Sequence, residues 1–202
     1  MVYNKTQKVL AKQDKLRKKI LAAAKEVMAE DTSGKFSIKA IAKKAGIATG
    51  TVYLYFANKE ALIEIVVQEL YAELLDIIKE ERSRYTDVFD KLQASMEACI
   101  NTFLSKKQMA KILLKYFPEI NSTINNRFTD IEKDLINFVK EDIDQLLAEG
   151  RIPPQDSLVS ATAFVGTFRE VMLSWLNSEE PVDWELAYKT LIEYNMRGIG
   201  KK

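Results

Sequence analysis

An all-α fold is predicted by three features of the sequence. Only 4 Pro and 7 Gly occur in 202 residues, too few for the turns of an all-β chain. Long runs rich in Leu, Ile, Ala, Glu and Lys place apolar residues at helical spacing. All four prolines (Pro118, Pro153, Pro154 and Pro181), with Gly46 and Gly150, fall between those runs. The expected layout is about nine helices: a three-helix head over residues 1–58, then a larger helical domain over 59–202. With 47% hydrophobic residues, the chain can bury a sizeable core.

The first helix is expected over about 8–29, with Val9, Leu16, Ile20, Ala23, Ala24, Val27 and Met28 on one face. Lys5, Lys8, Lys12, Lys15, Arg17, Lys18 and Lys19 load its beginning, as a solvated polar face or as phosphate contacts. The sequence D-T-S-G-K, Asp31 to Lys35, reads as a turn, and Phe36 is expected to pack back on the first helix. Ser37 can cap the second helix. Ile38, Ile41, Ala42 and Ala45 form that helix's inner face, and Gly46 stops it. A third helix is expected over about 49–55, and a fourth over about 59–82 carrying Leu62, Ile63, Val66, Leu70, Leu74, Ile77 and Ile78. Five more are expected over about 86–104, 106–116, 122–149, 156–177 and 183–197.

Composition removes several chemistries. There is no histidine and a single cysteine, Cys99. Ser-His-Asp and Cys-His catalysis and His- or thiolate-based metal sites are therefore excluded, as is an intrachain disulfide. No cofactor, metal or enzymatic activity is expected. No apolar run is long enough to span a bilayer, and the charged N-terminus lacks a signal peptide's apolar core, so the cytoplasm is the expected location. The formal net charge is only +1, but residues 1–60 carry 13 Lys and Arg against 5 Asp and Glu, and residues 61–202 carry 17 against 24. A basic first part and an acidic remainder suggest one end that faces nucleic acid.

The stretch from Ser37 to Leu62 gives that end a shape. A small residue, Ala42, lies four before the turn glycine Gly46, and an apolar one, Val52, lies six after it. This is the spacing of a helix-turn-helix, in which two short helices cross closely. Its second helix enters the major groove with exposed residues aimed at base edges. Here those candidates are Ala48, Thr49, Gly50, Thr51, Tyr53, Leu54 and Tyr55. The run I-A-x-x-A-G-I-A-x-G-T-V-Y-x-Y-F-x-x-K-E-x-L, Ile41 to Leu62, resembles the DNA-binding signature of the TetR family of transcriptional regulators.

The resemblance implies base contacts from Thr49 and Gly50, and phosphate or thymine-methyl contacts from Thr51, Tyr53 and Tyr55. It also implies a phosphate contact from Lys59 and a base or backbone contact from Lys39. Ala48 and Leu54 depart from the more polar residues often found at their positions and hint at apolar contact with thymine. One head offers too few side chains for a specific site, so a homodimer on a near-palindromic stretch of double-stranded DNA is expected, with grooves about 34 Å apart.

In the second domain, the helices expected over 156–177 and 183–197 offer a dimerising pair. Ala161, Val165, Arg169, Trp175, Trp184, Leu191 and Tyr194 are the candidate interface residues, and intrachain core is the alternative. Large, soft side chains mark the middle helices: Met96, Cys99, Phe103, Leu113, Tyr116, Phe117, Phe128, Ile131 and Leu135, with Phe168 and Met172 further on. Such stripes build a plain core, or a pocket for an apolar small molecule. Arg169 and Glu170 interrupt an otherwise apolar helix, either as an interface ion pair or as an anchor for a ligand head group. The pattern F-x-G-T-x-x-E-x-x-x-x-W, Phe164 to Trp175, together with V-Y-L-Y-F-A-N-K-E, is similar to fatty-acid-responsive members of the family that bind acyl-coenzyme A. The resemblance thus implies a repressor released by a small apolar effector. A DNA-binding protein with a solidly packed second domain and no effector is the alternative.

The recognition helix carries few charges, so affinity should come mostly from flanking lysines through counterion release. DNA binding is expected to weaken steeply as salt rises. A gel-shift affinity unchanged between low and high salt overturns this.

Overall fold

The computed structural model describes residues 7–31, 36–115, 122–178 and 183–202, with the backbone alone for Lys8, Lys115 and 122–131. Nine helices are found among them: α1 (Gln7–Glu30), α2 (Ile38–Lys44), α3 (Thr49–Tyr53), α4 (Lys59–Arg82), α5 (Val88–Ser105), α6 (Lys107–Lys115), α7 (Ser122–Ala148), α8 (Ser157–Asn177) and α9 (Trp184–Gly198). There is no strand among the described residues. The chain divides into two units, Met1–Glu69 and Leu70–Lys202, so α4 begins in the first and ends in the second.

The first unit is a small bundle. The Ser37 hydroxyl accepts from the Ala40 amide at 3.2 Å and starts α2. At its other end Gly46 takes φ +63°. The Ile47 amide reaches back to the Ala42 carbonyl at 3.0 Å, and the Gly46 amide to Lys43 at 3.1 Å. This is the paired closure that a left-handed residue permits after a helix. The turn brings α3 onto α2, with Ile41 and Val52 both 0% exposed and Ala42 1% exposed. Each such side chain contributes about 1.5–3 kcal/mol through burial.

Two expectations for this unit are corrected. The third helix ends at Tyr53, not Tyr55: the Leu54 and Tyr55 amides bond to Thr51 and Val52 three residues back, and this tightened turn carries Phe56 into the core at 2% exposure. Val9, expected on the inner face of α1, is 44% exposed. Helices of 7 and 5 residues are too short to cover a helix of 24, so the buried face begins near Ile20 and takes in Leu21.

In the second unit three aspartates start three helices by accepting first-turn amides: Asp87 for α5, Asp156 for α8 and Asp183 for α9. Gly150, at φ +66°, closes α7 just before Pro153 and Pro154. The core gathers Leu92 and Ile100 of α5, Ile112 of α6, Ile143 and Leu146 of α7, and Ala161 of α8, all 0% exposed. α8 packs on α6, α7 and α9. The ring of Trp175 meets that of Trp184 edge-on at 5.2 Å, joining α8 to α9.

At Gly46 an added Cβ would meet only the Lys19 ammonium, 3.8 Å away, so backbone conformation alone demands glycine. Gly46→Ala should destabilise the chain by about 1–2 kcal/mol, and Gly46→Asn by less. Denaturant unfolding measures both; equal stability of the alanine variant and the original contradicts the assignment.

Candidate nucleic-acid interface and apolar cavity

The α3 helix divides its residues by angle. Val52 points into the core, while Thr49 and Gly50 are exposed, Tyr53 is 52% exposed and Leu54 is 83% exposed. Thr51 and Tyr55 are half-buried at the rim, and Ala48, the residue before the helix, is exposed. Gly50 has no positive φ, and a Cβ there would meet nothing within 4 Å. Neither backbone nor packing requires glycine at that position, so its bareness favours close approach by something outside the chain. An 83% exposed leucine beside it offers a methyl-sized apolar contact, the kind a thymine methyl accepts.

The basic groups around this face are sorted by their partners. Lys44 bridges Glu26 at 2.9 Å and Glu30 at 3.1 Å, and the hydrogen bonds from these carboxylates raise its pKa. Arg17 and Lys25 share Glu69, and Lys18 pairs with Asp14. Lys12, Lys15, Lys19, Lys39 and Lys43 are exposed. Lys59 is held: its ammonium lies 4.3 Å from the centre of the buried Phe36 ring. It is also the first residue of α4, whose start Asn58 caps by accepting the Ala61 amide at 2.7 Å. A cation at a helix start sits against the positive end of the macrodipole, and a phosphate there would satisfy both.

The second unit forms a partly open apolar cavity of about 110 Å³. α4 gives it Tyr71, Leu74 and Ile78; α5 gives Ser95, Met96, Cys99 and Phe103; α6 gives Leu113 and Leu114. α7 supplies Glu132, Leu135, Phe138 and Val139, and α8 supplies Phe164, Val165, Phe168 and Arg169. The Phe103 and Phe168 rings lie 6.4 Å apart across α5 and α8. Of the expected pocket residues, Met96, Cys99, Phe103, Leu113, Leu135 and Phe168 line it. Met172 does not; at 1% exposure it is core. Tyr116 and Phe117 lie outside the described residues, as do the side chains of Phe128 and Ile131. Burial, helped by Asp134 and Cys99, raises the pKa of the Tyr71 phenol. Burial likewise pushes the Cys99 thiol up to about 12.

Sequence reasoning missed Tyr71, Ser95, Glu132, Phe164 and the cavity-facing role of Val165; for Arg169 it left a ligand anchor and an interface ion pair both open, and the residue lines the cavity. The apolar face of α4 was visible, but not that its second half would join this wall.

The expected interface residues separate. Ala161 is 0% and Leu191 4% exposed, so both are spent on the chain's own core, where α8 meets α9. Val165 and Arg169 line the cavity. Trp175 is occupied by Trp184 within the chain. Val165, Arg169 and Trp175 keep part of their surface, and Trp184, at 39%, and Tyr194, at 66%, keep more. Beside them stand Leu158, Val159 and Leu186, 51%, 64% and 64% exposed, with the small exposed residues Ala163 and Gly166. No helix among the described residues is long and apolar enough to cross a membrane.

Comparison with known proteins places this geometry. Residues 20–66 match the family model described as bacterial regulatory proteins, tetR family. The chain is similar to a fatty acid metabolism regulator protein of Bacillus subtilis, 23% identical over 91% of this chain and 95% of that one. It is 52% identical over 61 residues, 30% of this chain and 31% of the other, to the HTH-type transcriptional regulator YvdT of the same organism. Among solved structures, the transcriptional regulator FadR from Bacillus subtilis in complex with stearoyl-CoA superposes with a TM-score of 0.80 at 22% identity, over 90% of this chain and 98% of that one. FadR from Bacillus halodurans gives 0.78 at 24%, over 89% and 97%. At these identities the structural likeness establishes a shared fold.

Thiolate is the reacting form of cysteine, and a raised pKa makes it scarce at neutral pH. Labelling of Cys99 by a small maleimide at pH 8 should run hundreds of times slower than for an exposed cysteine of pKa about 8.5. The rate should still climb with pH through pH 10. A plateau near pH 9 shows a thiol open to water and contradicts the buried placement.

Proposed function

We propose that this chain, a DNA-binding transcriptional regulator of the tetR family by the match of its residues 20–66, acts in the cytoplasm as a homodimeric repressor. In this reading an apolar small molecule in the cavity releases it from a near-palindromic operator. The cavity carries the reading. A regulator with a solidly packed second domain has no use for an unfilled apolar space, since voids of this kind cost stability. A dry pocket walled by Leu, Ile and Phe accepts an apolar guest.

Fatty acyl-coenzyme A is the ligand class favoured. A Bacillus subtilis regulator of the same fold was solved with stearoyl-CoA, and the chain matches a fatty acid metabolism regulator of that organism over nearly its whole length. The wall has few polar residues, Arg169 and Glu132 among them, and these suit the polar end of an otherwise apolar molecule. Thr49, Gly50 and Leu54 read bases, Ala48 and Tyr53 flank them, and Thr51 and Tyr55 reach phosphates from the rim. Lys39 and Lys59 anchor the backbone. The first domain, residues 1–58, does the reading, and residues 59–202 sense the ligand and hold the twin.

The dimer forms through the exposed apolar face of α8 and α9, with Tyr194 as its central aromatic and Ala163 and Gly166 admitting close approach. Effector binding shifts α4, the two heads lose register with successive grooves, and affinity falls. Such couplings usually amount to about 1–3 kcal/mol.

The test is a titration of stearoyl-CoA and shorter acyl-CoAs against the protein bound to a duplex that it selects from a random pool. DNA affinity should fall roughly 5- to 150-fold. If every compound shown to bind leaves it unchanged, the effector-free alternative stands.

A further inference from the structure

The last residue of α4 is a buried arginine tied to the wall of the cavity. Arg82 Nη1–H donates to Ser95 Oγ of α5 at 3.0 Å, and Nη2–H donates to Asp142 Oδ1 of α7 at 2.8 Å. The guanidinium carbon stands 4.3 Å from the centre of the Phe138 ring, also on α7. The side chains of Arg82 and Asp142 are only 12% and 10% exposed. Ser95 is itself fixed, donating its hydroxyl to the Lys91 carbonyl at 2.8 Å. Two of the three partners, Ser95 and Phe138, line the cavity, while Asp142 lies one turn beyond Phe138 on the same helix. Asp142 Oδ2 is buried with no hydrogen-bond partner among the described residues.

We propose that Arg82, Asp142, Ser95 and Phe138 form a latch that passes occupancy of the cavity to α4, with Arg82 and Asp142 as its positioning residues. The inference rests on the ligand-released reading above and names the atoms that carry its coupling. Three observations support it. First, Ser95 and Phe138 line the cavity itself, so an occupant that fills it presses directly on two of the groups that hold the guanidinium. Second, close-packed walls do not deform continuously; moving Phe138 or α5 either drags the guanidinium plane with it or breaks its hydrogen bonds. Third, the guanidinium is the last side chain of α4, so either event changes how the end of that helix is held. The unpartnered Oδ2 gives the arginine a second acceptor on the same carboxylate, so the pair can re-form in a shifted geometry instead of leaving two buried charges apart.

The test compares the original chain with Asp142→Asn, Arg82→Lys and Ser95→Ala. Three quantities are read: affinity for the selected duplex, affinity of the DNA-free protein for stearoyl-CoA, and affinity for the duplex at saturating stearoyl-CoA. Cavity filling by substitution, Cys99→Phe or Leu113→Phe, serves as an occupant that needs no ligand. Thermal unfolding of each variant checks that it folds.

The latch predicts that Asp142→Asn and Arg82→Lys keep ligand affinity and ligand-free DNA affinity within about threefold. The ligand-induced loss of DNA affinity should shrink about tenfold, toward none. Ser95→Ala shrinks it less. The filling substitutions weaken DNA binding in the original chain but not in the Asp142→Asn background. A loss of merely structural contacts would lower the unfolding temperature and leave the ratio of DNA affinities alone. If stearoyl-CoA or a filling substitution weakens DNA binding equally with and without the latch, the latch is overturned and the ligand-released reading survives. If neither weakens it in the original chain, the reading itself fails and the latch falls with it.

Discussion

Everything at the nucleic-acid face depends on one left-handed residue. Gly46 turns the chain so that α3 crosses α2 over Ile41, Ala42 and Val52, and the closing hydrogen bonds from Gly46 and Ile47 spend carbonyls that a helix of 7 residues would otherwise leave open. Once that crossing is set, helix geometry decides the rest. Val52 must be inside, so Gly50, Tyr53 and Leu54 turn outward, and Thr49, at the open start of α3, is exposed with them. The face is small and almost uncharged, and the cations that serve it come from α1, α2 and the start of α4.

The second unit solves a different problem. Its helices bury a large apolar surface, yet where α4, α5, α6, α7 and α8 converge they leave space instead of filling it. The side chains around the gap are mostly Phe, Leu, Ile, Val and Met, with Tyr71, Ser95, Cys99, Glu132 and Arg169 among them. The polar contacts sit at its edge, where Arg82 joins three helices through one guanidinium.

The helical layout was legible almost residue by residue because its signals are local: period, caps and breakers. Each helix end given in advance lies within two residues of the one observed, including the end of α3, where a tightened turn replaced regular helix. The outward residues of α3 were legible for the same reason. The sites of the second unit were less so. Periodicity shows which face of a helix is apolar but not which neighbour covers it. Ala161, Val165, Arg169, Trp175 and Leu191 therefore left a surface for a twin and intrachain core both open; Ala161 and Leu191 are buried within the chain, and the other three stay partly exposed. Ser95 and Asp142 carry no sequence signal at all. A serine and an aspartate on amphipathic helices look like ordinary solvent-facing residues until Arg82, 13 and 60 positions away, is found against them.

That arginine has a consequence for how the chain can change over generations. Removing one member of a buried ion pair costs about 3–5 kcal/mol, a large part of what holds a domain folded, whereas exchanging both for well-packed apolar residues is often neutral. Positions 82 and 142 are thus bound to a common fate: neither drifts by single steps, and lineages that alter one must cross a valley or alter the other with it. Paired substitution at these two sites among distant descendants is the mark such a constraint leaves in a genome.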